Sequence, residues 1–217
     1  MKKVERARVQ NVKSRGEVFQ HYFAREPGAP SRQREVRATL RGATYRFVTD
    51  HGVFSFAGID AGTRLLIETL EMVPNAHVVD LGCGYGAIGI AAAQLVPQGF
   101  VILTDINARA AQLAQENLRR HQILNAAVVQ ADGLSPFRQG VFDVVVCNPP
   151  LRAGNATVYR LINESRERLK PQGQLWLVAQ TKQGAKTLLR RVTEIFGWAE
   201  ERALKGGYRV IRAVRLR

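Results

Sequence analysis

Cysteine is scarce in this sequence: Cys83 and Cys147 are the only two among 217 residues. Their separation matches neither the close pairs that bind zinc nor the recurring spacing of a disulfide framework. We therefore expect no metal site and no disulfide bond. Two unreactive thiols in apolar surroundings are typical of a cytoplasmic protein.

Long apolar runs are absent as well. The longest falls well short of the roughly 20 residues that a membrane-spanning helix needs. No apolar segment follows the charged start of the chain in the manner of a secretory signal. The chain has 217 residues, enough for one domain with a sizeable core. We place this domain at residues 31–217 and expect no membrane partner.

Acidic residues are few: 18 Asp or Glu stand against 32 Lys or Arg, which gives a net charge of +14. Residues 1–46 hold 12 of the basic side chains and 4 Glu, a net charge of +8. Such an excess is typical of proteins that bind a polyanion, although a basic surface that only maintains solubility gives the same composition. We expect residues 1–30 to form a basic arm or helix ahead of the domain. The oligomeric state stays open.

Strand and helix patterns alternate through most of the chain. Five apolar runs have the length of buried strands: 77–81, 100–104, 126–129, 141–147 and 174–179. Helical spacing of apolar residues separates them. This alternation predicts an α/β fold with a Rossmann-like, doubly wound parallel sheet. The last two strands, 199–203 and 208–214, are expected to pair antiparallel.

A glycine-rich run follows the first of these strands: Asp80-Leu81-Gly82-Cys83-Gly84-Tyr85-Gly86. Glycine lets the backbone turn sharply and approach a ligand closely. The second strand delivers Asp105, where a carboxylate can accept both hydroxyls of a ribose, and Asp132 follows the third, where an adenine amino group would lie. The predicted cofactor-binding residues are Asp80, Gly82, Cys83, Gly84, Gly86, Asp105, Ile106, Ala131 and Asp132.

Two other interpretations apply to the same residues. The spacing Gly84-x-Gly86-x-x-Gly89 also fits a dinucleotide fingerprint. Against a nicotinamide cofactor, Asp80 puts a negative charge where a pyrophosphate would lie, and we therefore favour S-adenosylmethionine (SAM). Each carboxylate also has a purely structural alternative: Asp80 pinning the loop, Asp105 capping a helix, and Asp132 forming a turn.

The run Asn148-Pro149-Pro150-Leu151 stands directly after the strand at 141–147. The side-chain oxygen of Asn148 and the main-chain carbonyl of Pro149 are two acceptors that suit the two hydrogens of a planar NH2 group. Fixed dipoles of this kind stabilise the positive charge that develops on a nitrogen as it is methylated. We therefore predict methyl transfer to an amino or amide nitrogen, with Asn148, Pro149, Pro150 and Leu151 at the catalytic site. Taken alone, the same run would also end a strand.

These motifs resemble the class I SAM-dependent methyltransferases with an Asn-Pro-Pro-aromatic motif. The resemblance is strongest to the single-domain small-subunit ribosomal RNA guanine-N2 methyltransferases. Further segments that carry it are His21-Tyr22-Phe23, Leu40-Arg41-Gly42, Thr49-Asp50-His51-Gly52-Val53-Phe54-Ser55, Asp60-Ala61-Gly62-Thr63 and Lys205-Gly206-Gly207-Tyr208-Arg209-Val210. It implies that the substrate is a guanine amino group in ribosomal RNA or in the small ribosomal subunit. It also implies that Phe54 and Ser55 lie near the SAM pocket.

The chain departs from that family at Leu151. An aromatic residue usually follows the two prolines and stacks on the target base, so the resemblance implies that Tyr159 or Phe54 replaces it. Stacking contributes about 1–3 kcal/mol per base. A base must also be flipped out of a duplex, or already unpaired, to reach such a site. The candidate RNA-binding residues are Arg32, Arg34, Arg37, Arg41 and Tyr159.

Three alternatives stay open in the sequence. The same chemistry serves the glutamine amide of a protein such as a translation release factor. It also serves the amino group of adenine in RNA or DNA, because both bases carry an NH2 group. A non-catalytic RNA chaperone with this fold is the third alternative, which the presence of Asn148 and the glycines disfavours.

Overall fold

The computed structural model of the protein describes residues 30–217. The predicted basic arm at residues 1–30 therefore lies, apart from Pro30, outside the described residues. Between residues 30 and 217 the strands form two sheets, a two-stranded hairpin and a seven-stranded sheet. The hairpin consists of β1 (Gln33–Leu40) and β2 (Ala43–Asp50), which pair antiparallel.

The seven-stranded sheet has the spatial order β5-β4-β3-β6-β7-β9-β8. Its strands are β3 (His77–Leu81), β4 (Phe100–Asp105), β5 (Ala126–Gln130), β6 (Phe142–Cys147), β7 (Leu169–Gln180), β8 (Ala199–Lys205) and β9 (Tyr208–Val214). Strands β3 to β7 are parallel, whereas β9 runs antiparallel to both β7 and β8. The predicted α/β fold with an antiparallel last strand is confirmed. Strand order reverses at β3, which has β4 on one side and β6 on the other, and ligands bind beyond the carboxyl ends of strands at such a point.

Five helices of the described chain cover the two faces of the sheet. They are α1 (Ala61–Thr69), α2 (Ala87–Leu95), α3 (Ala108–Arg120), α4 (Asn155–Arg168) and α5 (Ala185–Phe196). Buried residues of α1, α2 and α3 share one core cluster with the hairpin, and those of α4 and α5 form a second cluster on the opposite face. Each face of the sheet is therefore closed by its own hydrophobic core, as a doubly wound fold requires.

The hairpin is fixed to the main domain through Asn117 of α3, which is fully buried. Its Oδ1 accepts a hydrogen bond from the N–H of Val48, and its Nδ2 donates to the carbonyls of Val48 and Tyr85. One amide therefore joins the hairpin, helix α3 and the glycine-rich loop. Buried side-chain amides that satisfy several main-chain groups hold segments in a defined geometry.

The alternating pattern of residues 44–49 predicts a strand, which the structure shows as β2. No sequence pattern predicted β1. The turn between the strands consists of Arg41 and Gly42, both with positive φ (48° and 79°). Two consecutive residues with positive φ are typical of a two-residue hairpin turn, where Asn-Gly is the usual signal. Arginine at the first position hides that signal in the sequence.

Candidate active site

A cleft of about 880 Å³ opens at the carboxyl ends of β3, β4 and β6, where the strand order reverses. Most of the predicted site residues line it: Phe54, Ser55, Gly82, Cys83, Gly84, Asp105, Ile106, Ala131, Asp132, Asn148, Pro149, Pro150 and Leu151. Asp80, Gly86 and Tyr159 do not line the cleft, and neither do the four predicted RNA-binding arginines. The fold thus brings the glycine-rich loop and the Asn-Pro-Pro run, which are about sixty residues apart in the sequence, to one cavity.

The glycine-rich loop follows β3 and lies on β4. Gly82 and Cys83 both donate hydrogen bonds to the carbonyl of Thr104, at 2.8 and 2.9 Å. Gly82 and Gly84 have φ of 74° and 56°. In this left-handed conformation a residue with a side chain would have a strained backbone. Gly89 has a different role, since a Cβ there would lie 2.4 Å from Cγ of Leu103. It allows helix α2 to pack closely on β4.

Asp105 joins the glycine-rich loop to the start of α3. Its Oδ2 accepts a hydrogen bond from the N–H of Gly84, and its Oδ1 accepts one from the N–H of Asn107, both at 2.9 Å. Burial raises the pKa of this carboxyl, and those N–H groups offset part of the rise. A carboxylate has about four acceptor positions, and the N–H groups of Gly84, Ile106 and Asn107 engage up to three of them, so at least one remains for a hydroxyl of a ribose.

Asn148 directly follows β6, and its carboxamide has a fixed partner. Its Nδ2 donates to Oγ1 of Thr63, the third residue of α1, at 2.9 Å. The sequence-based interpretation took the carbonyl of Pro149 to be free. In the structure this carbonyl accepts a hydrogen bond from the N–H of Leu151 at 2.8 Å. A carbonyl oxygen has two lone pairs, so it can still accept a second hydrogen bond from a substrate.

A model of a protein family, described as the methyltransferase small domain, matches residues 44–212. This chain belongs to that methyltransferase family. The methyltransferase is 34% identical over 198 residues to the uncharacterized protein YbxB of Bacillus subtilis, covering 90% of this chain and 98% of that protein. It is also 42% identical over 132 residues to the ribosomal RNA small subunit methyltransferase C of Actinobacillus succinogenes, covering 59% of this chain and 39% of the relative.

Among solved structures, the methyltransferase is similar to the 16S rRNA N2 methyltransferase RsmC of T. thermophilus, in complex with AdoMet (SAM) and guanosine. The TM-score is 0.76 at 28% identity, and the alignment covers 87% of this chain and 52% of that one. The methyltransferase therefore spans about half the length or less of these two RNA-modifying relatives. The predicted family and the predicted cofactor, SAM, are confirmed.

The SAM-dependent methyltransferase carries a buried carboxylate beneath its glycine-rich loop. Asp80 is 1% exposed, and its Oδ2 accepts a hydrogen bond from the N–H of Gly89 at 2.7 Å, which pins the loop to α2. Its Oδ1 has no hydrogen-bond partner among residues 30–217. Burial raises the pKa of Asp80 to about 7. The hydrogen bond from the N–H of Gly89 lowers this pKa, and the nearby negative charge of Asp105 raises it. A buried carboxylate with one oxygen unpaired favours a cationic ligand nearby, and SAM has both an ammonium and a sulfonium group.

The raised pKa of Asp80 predicts how stability depends on pH. Between about pH 4 and 7 the folded protein keeps a proton on Asp80 that the unfolded chain has released, so the free energy of unfolding falls as pH rises. From about pH 5 to pH 8 we expect a decrease of roughly 1–3 kcal/mol, at 1.36 kcal/mol per pKa unit. Urea unfolding without SAM measures it. Asp80→Asn should make the decrease smaller, and the raised pKa of Asp105 accounts for what remains.

Asp143 provides the matched control for that experiment. Burial raises its pKa, but the N–H of His77 and the ammonium of Lys170 outweigh burial and hold the pKa below its usual value. The stability it contributes is lost only as pH falls below about 4, so Asp143→Asn should keep the slope of the unmodified methyltransferase. Equal slopes in all three proteins would contradict the assignment to Asp80.

Asp132 lies in the cleft with most of its side chain exposed, and it forms an ion pair with Nη2 of Arg160 at 2.6 Å. Arg160 was not predicted from the sequence, because its partner lies 28 residues away on a different element. Phe56, Thr63 and Tyr208 also line the cleft without having been predicted as site residues. The sequence does hold a signal for Thr63: it follows Asp60 by three residues, and Asp60 is the N-cap of α1.

The aromatic residues of the cleft bear on the missing aromatic at Leu151. Phe54 lines the cleft and is 51% exposed. Tyr159 packs against the core cluster of α4 and α5, and the guanidinium of Arg191 lies 5.3 Å from its ring centre. The expectation that Tyr159 replaces the aromatic residue therefore does not fit its position. Phe54 fits.

The four predicted RNA-binding arginines differ in their surroundings. Arg34 lies 5.5 Å from the ring centre of Phe56 and so reaches the mouth of the cleft. Nη1 of Arg41 donates to the carbonyls of Ile67, Glu68 and Leu70, which closes the end of α1. That contact gives Arg41 a structural role at the end of α1, and its part in RNA binding stays a prediction, since the residue is also exposed. Arg32 and Arg37 are exposed.

No helix between residues 30 and 217 combines the length and apolarity needed to cross a membrane. Within the same residues, no group of three or more His, Cys, Asp or Glu side chains is arranged to hold a metal ion.

Proposed function

We propose that this protein transfers the methyl group of SAM to the exocyclic N2 amine of a guanine in small-subunit ribosomal RNA. The observation that carries the proposal is the arrangement at Asn148. Its NH2 group is taken by Thr63, so its Oδ1 is the atom left to act beside the carbonyl of Pro149 in the cleft. Two acceptors at one edge of a cavity match the two N–H bonds of an amine.

The chemistry requires little of the protein beyond position and polarity. SAM, when bound, supplies an electrophilic methyl group. Asp105 would hold the ribose hydroxyls of SAM, and Asp132 would lie near its adenine amino group. Asn148 and Pro149 would each accept one N–H of the substrate amine, which aims the nitrogen lone pair at the methyl group and stabilises the developing positive charge. The methylated nitrogen is acidic and releases its proton to water without a strong base.

The choice of guanine in RNA has two supports. The T. thermophilus relative is an N2 methyltransferase of 16S rRNA, and its structure contains guanosine. This chain also has a net charge of +14, which suits a polyanionic substrate better than the glutamine amide of a protein. An enzyme with this substrate works where ribosomes are assembled, so we keep the cytoplasm as its proposed location.

The exposed face of the hairpin is the proposed RNA-binding surface. Arg37 and Arg46 lie directly opposite each other in the register of β1 and β2, and both are exposed. Like charges at such a cross-strand pair destabilise a hairpin, and a phosphate group between them would remove the repulsion. We propose that Arg37 and Arg46 contact the RNA backbone, with Arg32 nearer the start of β1 and Arg34 at the mouth of the cleft.

Replacing both arginines should weaken RNA binding mainly through electrostatics. For Arg37→Gln combined with Arg46→Gln, we expect the slope of log affinity against log salt concentration to become shallower by about 1–2, because each phosphate contact contributes about 0.7–0.9. SAM affinity should not change. Fluorescence anisotropy with an rRNA fragment over a salt series measures this. The matched control replaces Lys186 and Arg190, two exposed basic residues of α5 on the other face of the sheet; an equal effect there would contradict a hairpin-specific surface.

Nucleoside analysis tests the proposed substrate. Ribosomal RNA from a strain without the gene should lack N2-methylguanosine at one position, and the purified protein with SAM should restore it. Loss of N6-methyladenosine instead would replace guanine by adenine. Unchanged RNA together with an undermethylated glutamine in a translation factor would overturn the RNA assignment altogether.

A further inference from the structure

The carboxamide of Asn148 can serve an amine substrate in only one of its two orientations. With Oδ1 toward the substrate it accepts an N–H, but with Nδ2 toward the substrate two NH2 groups would face each other. The two ends of an amide have nearly the same shape, so packing alone does not select one. Some neighbouring group has to determine which end points to the substrate.

Thr63 is the neighbour of Asn148, and its hydroxyl has a single proton. Oγ1 of Thr63 lies 2.5 Å from Oδ2 of Asp60 and 2.9 Å from Nδ2 of Asn148. If the hydroxyl of Thr63 donates its hydrogen bond to Asp60, a lone pair of Oγ1 faces Asn148. Only the NH2 end of the Asn148 amide can donate to that lone pair. The direction of one proton therefore determines the orientation of the amide.

The surroundings of Asp60 determine the direction of that proton. Its Oδ1 accepts from the N–H groups of Gly62 and Thr63, both at 3.0 Å, and its Oδ2 accepts from Oγ of Ser55 at 3.2 Å. With Oγ1 of Thr63, four donors converge on one carboxylate, which has no proton to give in return. Thr63 must then donate to Asp60 and accept from Asn148.

We propose that Thr63, oriented by Asp60, is a positioning residue that holds the Oδ1 atom of Asn148 toward the substrate amine. This inference rests on the proposed N-methyl transfer. It assigns the Asp60-Ala61-Gly62-Thr63 segment a role in turnover besides the start of α1. Ser55, whose φ is 58°, belongs to the same network, and the cost of that backbone conformation for a residue other than glycine is of the size tolerated at functional sites.

The test compares Thr63→Val, which keeps the shape but removes the hydroxyl, with Thr63→Ser, which keeps the hydroxyl. We expect Thr63→Val to lower kcat by about 10- to 100-fold, the range typical of residues that orient a reacting group. KM for RNA and the Kd for SAM should stay within about 2-fold. Thr63→Ser should retain at least about a third of kcat. Equal losses in both variants, or a kcat of Thr63→Val within 2-fold of the unmodified protein, would overturn the proposal.

A second readout requires no substrate and does not depend on activity. In 15N-labelled protein, the side-chain NH2 of Asn148, assigned by its disappearance in Asn148→Ala, should exchange with solvent at least about 10-fold more slowly than that of the exposed Asn155. The exchange should accelerate about 10-fold in Thr63→Val and not in Thr63→Ser. Rapid exchange in the unmodified protein would overturn the proposed orientation.

The two readouts separate this inference from the proposed function. If the unmodified protein fails to methylate rRNA, the substrate assignment fails, while the amide exchange still decides whether Thr63 orients Asn148. If rRNA is methylated and Thr63→Val exchanges and turns over like the unmodified protein, the positioning role fails alone. Thermal unfolding of each variant identifies a loss of kcat that comes from misfolding, and in that case the Ser variant and the exchange rates decide.

Discussion

Replacing Asn148 by alanine is expected to lower kcat at least about 100-fold. The substitution removes one of the two acceptors proposed to hold the amine, and loss of a single oriented group of this kind typically costs 10²–10³ in kcat. SAM affinity should barely change, because Asn148 is not among the residues proposed to bind SAM, which lie at the ends of β3 and β4, after β5, and at Phe54 and Ser55. Single-turnover methyl transfer to unmodified rRNA, with calorimetry for SAM, separates the two effects.

Asn163→Ala is the matched control for Asn148→Ala. Asn163 lies exposed on α4, where its Nδ2 donates to the carbonyl of Tyr159, and it does not line the cleft. The control should retain full turnover. If Asn148→Ala also turned over at a near-normal rate while folded, the acceptor pair would not be the catalytic centre.

Replacing Asp105 by alanine is expected to raise the Kd for SAM about 100-fold, which corresponds to about 2.7 kcal/mol. Two contributions add up. The ribose would lose hydrogen bonds to a charged acceptor, each contributing about 1.5–3 kcal/mol. The N–H groups of Gly84 and Asn107 would also lose their shared partner, which loosens the glycine-rich loop.

Calorimetric titration with SAM measures this effect directly. The control is Glu194→Ala, which removes an exposed carboxylate of α5 that pairs with Arg191 away from the cleft. Its Kd for SAM should equal that of the unmodified protein. At saturating SAM, Asp105→Ala should recover most of its kcat, since the residue has no proposed contact with the amine. An unchanged Kd for Asp105→Ala would mean that the ribose lies elsewhere.

The fold could be predicted from the sequence because its signals are local. Apolar runs of strand length, separated by helical patterns, determine a doubly wound sheet almost without reference to distant contacts. Strand β1 was not predicted because its inward positions include a small residue, Ala38, between the exposed polar residues Arg37 and Thr39. Its partner strand supplies the burial, and that is a tertiary property.

In the candidate site, too, positions that depend on local sequence could be predicted, whereas contacts between distant residues could not. The positions of Asp105 and Asn148 at the cleft follow from their places at strand ends, and the sequence reveals those places. The contacts of Arg41 and Tyr159 do not follow, because the groups that engage them lie 26 to 32 residues away in the chain. The alternative that Asp80 pins the loop agrees with its hydrogen bond to Gly89, and its pairing with a donor nine residues away is visible only in three dimensions.

Helix α1 is held by specific hydrogen bonds at both of its ends. Arg41, in the turn of the hairpin, donates hydrogen bonds to the carbonyls at the end of the helix. Thr63, in the first turn of the helix, accepts a hydrogen bond from Asn148. The helix has nine residues and is therefore about 13 Å long, at 1.5 Å per residue. The two-stranded hairpin and the carboxamide of Asn148 are therefore connected through one short helix, so the scaffold fixes the distance between them.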